Sequence, residues 1–199
     1  MNTKTSIRVR LIALIVLVAV VFIAGLIMTP KSIDNYVQYD CDVKNLRLST
    51  DIQISSNNQK VGSVTGNIFR IVEDPLTMSD TEGNKMAYAG DDYHFIAQDS
   101  HAIIVGDTVT AEMVGLWDLF GETYDIYNTD GEKIARAEFN YLNTAGEIYD
   151  ADGTLIATYG SFVFFNDFTV KISNDSEIDP TTLLMIFCSY YSDQSYDNS

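Results

Sequence analysis

The chain has 199 residues, with 12 basic and 28 acidic side chains and a formal net charge of −16. A field of that sign repels nucleic acid and anionic lipid headgroups, so neither is expected as a partner. Two cysteines are too few for a disulfide framework, so a hydrophobic core must carry the fold.

Residues 1–10 carry Lys4, Arg8 and Arg10, and an 18-residue run without charge follows, Leu11 to Met28. At 1.5 Å rise per residue it spans about 27 Å, close to the thickness of a bilayer core. All acidic residues come after it. The positive-inside rule then predicts a cytoplasmic 1–10, one transmembrane helix at 11–28 and an exported remainder. A cleaved signal peptide is the rival reading. Cleavage after Ala24 would put Phe22 where a small residue is required, and no lipoprotein-type cysteine follows. Three bases lie before the run, so the exported part holds nine against 28 acids, a net −19.

Residues 29–34 read as a linker marked by Pro30, and 35–193 as a single domain. Within it, Ile52 and Ile54 alternate with Asp51, Gln53 and Ser55. Val61, Val64 and Ile68 to Val72 continue the pattern around Gly66. Tyr93, Phe95 and Ala97 share a face. Further strands are predicted at 101–105, 109–114, 123–128, 132–139, 154–159, 161–165 and Phe168–Ser173. About a dozen short strands at this spacing predict a sandwich or barrel.

A phrase recurs between these strands. Asp125 to Ala135 is nearly repeated at Glu147 to Ala157, with looser copies at Asp80–Ala87 and Ser55–Gly62. Each reads as strand, Asp-Gly-type turn, strand, because such turns need positive φ.

The last element differs. Asp179-Pro180 is a helix start, an Asp cap followed by Pro at the first helical position. Leu183 to Tyr191 is apolar on nearly every side, so a helix at 180–191 must be buried all round, and it is too short to span a membrane. Its economical place is the inside of a barrel; a final buried strand is the alternative. Residues 194–199 read as a flexible polar tail.

The repeated hairpins around Tyr149 to Ala157, the strand Phe168–Ile172 and the apolar Leu183–Tyr191 resemble the LURP-one-related proteins. These belong to the tubby C-terminal-like superfamily, together with the phospholipid scramblases. The resemblance covers most of 35–193. It implies a mainly β fold, a closed antiparallel barrel of about twelve strands around a central C-terminal helix. Tubby-type members bind phosphoinositides through basic residues, but here the nine Lys and Arg are scattered in sequence, so no phosphoinositide is expected. Scramblase-type members carry a C-terminal membrane helix, whereas here the expected anchor is N-terminal and the expected terminal helix runs into a polar tail, which argues against scrambling.

Candidate chemistry is sparse. Asn128 and Asp130, and Asp150 and Asp152, stand beside glycines as in calcium loops, but neither copy completes an EF-hand ligand set, and turn geometry accounts for them. They are weak calcium candidates. His94 and His101 differ in strand parity and point away from a shared metal site. No Gly-x-Ser-x-Gly pattern is present. Leu116–Gly121, with Trp117, and Phe162–Phe165 read as core segments. Cys41 and Cys188 are chemically free to pair in an exported domain, or to remain buried thiols. The expected function is therefore a membrane-anchored, exported binding or structural module without catalytic residues or cofactor, its protein or small-molecule ligand open. An exported hydrolase or lipid-handling protein is the alternative.

Overall fold

The computed structural model describes residues 14–16, 30–46, 49–67, 76–90, 100–116, 121–140, 144–161 and 167–197. Twelve strands follow one another: β1 (Tyr36–Leu46), β2 (Ser49–Ser56), β3 (Gln59–Asn67), β4 (Leu76–Ser79), β5 (Lys85–Gly90) and β6 (Ser100–Val105), then β7 (Thr108–Leu116), β8 (Gly121–Tyr127), β9 (Lys133–Asn140), β10 (Ala145–Asp150), β11 (Leu155–Ser161) and β12 (Phe168–Ser173). Each is antiparallel to the next, and β12 pairs back onto β1 with Tyr36 opposite Ser173 and Cys41 opposite Phe168. The described strands close into a barrel, so each of them has a neighbour on both sides.

One helix, α1 (Pro180–Asp197), follows. Asp179 Oδ1 accepts hydrogen bonds from the amides of Thr181 (2.8 Å) and Thr182 (3.1 Å), which is the expected cap. Every residue from Thr182 to Tyr190 is buried, and seven apolar ones join the cluster formed by the inward residues of the strands. The all-apolar stretch is explained: the wall surrounds it. Each such Leu, Ile, Met or Phe contributes about 1.5–3 kcal/mol of burial. The helix continues to Asp197, beyond the 180–191 read from sequence.

The inward face alternates along the strands. Ile52 and Ile54 on β2, Ala135 and Ala137 on β9, and Val170 and Ile172 on β12 all point into the core. The helix approaches β5, β6, β7 and β12 most closely, where Ala87, Ala89 and Ala111 leave it room, while Phe139 and Tyr159 reach Phe187 across the wider side.

The expected span 11–28 lies outside the described residues except Leu14–Val16, which are helical and exposed. Among the described residues no helix is long and apolar enough to cross a membrane. The strand expected around Tyr93, Phe95 and Ala97, the segment Ile68–Val72, Trp117, His94 and Phe162–Phe165 also lie outside the described residues. β1 is the element the sequence reading left out, although Val37, Tyr39, Cys41 and Val43 alternate with the more exposed Gln38, Asp40, Asp42 and Lys44.

Candidate functional site

Three of the four copies of the repeated phrase fold into the same turn. Asp150 Oδ1 accepts from the amides of Asp152 (3.0 Å) and Thr154 (2.8 Å), and Gly153 donates to the Asp150 carbonyl. Asn128 Oδ1 does the same with Asp130 and Glu132, and Asp80 Oδ1 with Glu82 and Asn84. The glycine at the fourth position has φ of +88° at Gly83, +77° at Gly131 and +82° at Gly153, where a Cβ would be strained. Each turn is followed by a register shift in the ladder. The fourth copy is a different turn. Asn57 and Asn58 both take positive φ and form a two-residue link between β2 and β3.

The turn engages Asn128 and Asp150 through one side-chain oxygen each, and leaves Asp130 and Asp152 exposed at the tips. Hydrogen bonds from the Asn84 side chain and from turn amides hold the Asp80 carboxyl below its ordinary range. Among the described residues, no group of three His, Cys, Asp or Glu side chains converges on a point. His101 sits on β6 opposite Met113.

Beside these turns the outer wall of β8–β10 carries a groove of about 440 Å³. Lys133, Arg136, Glu138, Tyr149, Asp150, Ala151 and Gly153 line it. Register places Tyr149 opposite Arg136, and Arg136 opposite Asp125. Lys133 Nζ lies 2.5 Å from Asp125 Oδ1, and Arg136 Nε 3.4 Å from Glu138 Oε1. Lys133 and Arg136 stand three residues apart on β9, and strand pairing brings Asp125 and Tyr149 beside them.

A third cation reaches that wall from the linker. The Lys31 amide donates to Glu147 Oε1 at 3.0 Å, and Lys31 Nζ donates to Glu147 Oε2 at 2.9 Å and to the Tyr149 hydroxyl. Tyr149 in turn donates to Glu147 Oε2. Hydrogen bonds to Tyr149 and Glu147 push the Lys31 ammonium up. Burial alone would raise the Glu147 carboxyl, but the bonds from Tyr149 and Lys31 outweigh it and hold it low. Burial, with the bond to Glu147, raises the Tyr149 phenol. Sequence reasoning missed this triad, because Lys31 stands 116 residues from Glu147.

Cys41 and Cys188 are both buried and both free. Burial pushes the Cys41 thiol up, and the Cys188 thiol to about 12. Such thiols are packing groups and poor nucleophiles.

Comparison of the chain with protein-family models, with curated proteins and with solved structures finds no match.

Proposed function

We propose that this chain is a single-pass membrane protein that displays its helix-filled barrel outside the cell as a binding module. The LURP-one-related resemblance is part of the same proposal, and the barrel around a C-terminal helix is the architecture it implies. One observation carries the binding reading. The helix occupies the barrel interior from Thr182 to Tyr190, so a ligand must be taken on the outer surface. On that surface the β8–β10 groove offers one tyrosine ring between cations and acids already held in place by their partners. A volume of about 440 Å³ falls within the common range for small-ligand sites. Paired charges around an aromatic face suit a polar, hydrogen-bonding ligand such as a peptide or an oligosaccharide.

Peptide and oligosaccharide panels applied to intact cells displaying the full chain test this. Binding that is lost on Arg136→Glu is the expected result. A panel in which nothing binds, or binding indifferent to Arg136→Glu, would overturn the assignment of the groove.

A further inference from the structure

We infer that the barrel is held in one orientation to the membrane, with the rim formed by Gly90, Leu116 and Asn140 facing the lipid surface and the acidic turns facing away. This rests on the proposed anchorage by residues 11–28.

Strand direction divides the barrel into two rims. The five tight turns after β2, β4, β6, β8 and β10, and the link from β12 to α1, all lie at one rim. The opposite rim is formed by strand ends such as Gly90, Leu116, Asn140 and Ser161. Residues 30–35 run along the outside from the second rim to the first. Pro30 lies against Gly160, where an added Cβ would sit 3.3 Å from the proline ring. Gly160 pairs with Ala145 and Thr169, near the lipid-facing ends of their strands. Lys31 is tied to Glu147 and Tyr149, and Ile33 is only 6% exposed. At the other rim the Asn35 carbonyl accepts from the Asn174 amide at 2.9 Å, and its side chain bonds Asn174 and Asp175. The linker is therefore a strap fastened at both ends.

The apolar run ends at Met28, two residues before Pro30. Two residues reach about 7 Å at most, so the rim beside Gly160 cannot stand far from the bilayer while the strap is fastened. Charge agrees. The six turn-rim connections hold nine acidic residues and no Lys, Arg or aromatic residue. Carboxylates are costly to desolvate against a bilayer, whereas an exposed apolar side chain is not. Leu116, 40% exposed, is the large apolar side chain that the described part of this rim offers to it. The acidic end of α1, with Asp193 and Asp197, leaves by the same rim, so contact is with the headgroup layer and not the hydrocarbon. The β8–β10 groove, which includes the Asp150–Gly153 turn, then opens on the side away from the membrane.

The full chain, carrying Leu116→Cys or Asp152→Cys with a fluorophore, is reconstituted in phosphatidylcholine vesicles containing nitroxide-labelled lipid. Quenching several-fold stronger at position 116 than at 152 is expected. Equal or reversed quenching, in a chain that floats with the vesicles, would overturn the orientation and leave the anchorage standing. A chain that does not float would overturn both.

Discussion

Phe139 of β9 and Tyr190 of α1 lie face to face in the core, ring centroids 3.4 Å apart and planes within 11°. Tyr124, Tyr159 and Phe187 pack edge-on around them. The stack is where the wall grips the helix. Opposite Phe139, β10 carries Gly146, and a Cβ there would come within 2.5 Å of the Phe139 ring. That ring cannot retreat, because Tyr190 lies behind it. Gly146→Ala should therefore cost about 1–3 kcal/mol by overpacking, and Phe139→Ala about 3–5 kcal/mol by leaving a cavity. Urea unfolding checks both. A neutral Gly146→Ala would mean that the stack yields.

The shared turn makes a sharper contrast. Asn128 and Asp150 play the same part in their turns with different side chains. Asp150→Asn should therefore leave stability within about 0.5 kcal/mol, since the accepting oxygen is kept. Asp150→Ala should cost about 1 kcal/mol, as loss of a side-chain cap does. Gly153→Ala meets no atom within 4 Å, so its cost, about 1–2 kcal/mol, is backbone strain at φ +82° alone. Equal effects for Asn and Ala at position 150 would contradict the role of its Oδ1.

The repeat was legible because a turn is local: four or five residues contain its whole chemistry. The helix was legible because its cap and its all-apolar stretch permit one environment. Closure was less so. β1 closes the barrel against β12, yet Tyr36 to Leu46 mixes aspartates with its buried residues, and only pairing with residues as distant as Phe168 and Ser173 gives that alternation its meaning. The candidate site was less legible still. Arg136 and Tyr149 meet through strand register, and Lys31 reaches Glu147 through the path of the strap. Neither relation has a sequence period.

Burial of α1 on all sides also predicts opposite signs for two neighbouring changes. Ile186 is fully buried, and Ile186→Asp would place a charge among hydrocarbon, which should leave the domain unfolded at neutral pH. Ser189 is buried too, but its hydroxyl has no hydrogen-bond partner among the described residues. Ser189→Ala removes that unmet group and should raise stability by about 0.5–1.5 kcal/mol. Circular dichroism with thermal unfolding reads both. Destabilisation by Ser189→Ala would show that the hydroxyl is satisfied.

The two thiols should be silent until the barrel opens. Cys41 and Cys188 are buried and their thiols are pushed up, the latter to about 12, so neither supplies thiolate near neutral pH. A thiol-specific chromogenic reagent should find both in denaturant and neither in the native chain. Native reactivity of either would refute the packing around it.

The strap makes stability depend on pH in a definite direction. Glu147 is held below its ordinary 4.5, so it stabilises the fold above that pH and ceases to as pH falls through its lowered value. Lys31 is held above its ordinary 10.5, so its contribution is complete below that pH and is lost only in strong alkali. The tie is thus intact at neutral pH and gives way in acid. Lys31 is 64% exposed at the side chain, so solvent and salt screen the pair and its worth is below about 1 kcal/mol. Glu147→Gln should accordingly be slightly less stable than the parent at neutral pH, with the difference declining as pH falls below the ordinary 4.5 and through the lowered value, and shrinking in high salt. Urea titrations over a pH series measure it. A difference that stays constant across that range would show that the Glu147 charge does not fasten the strap.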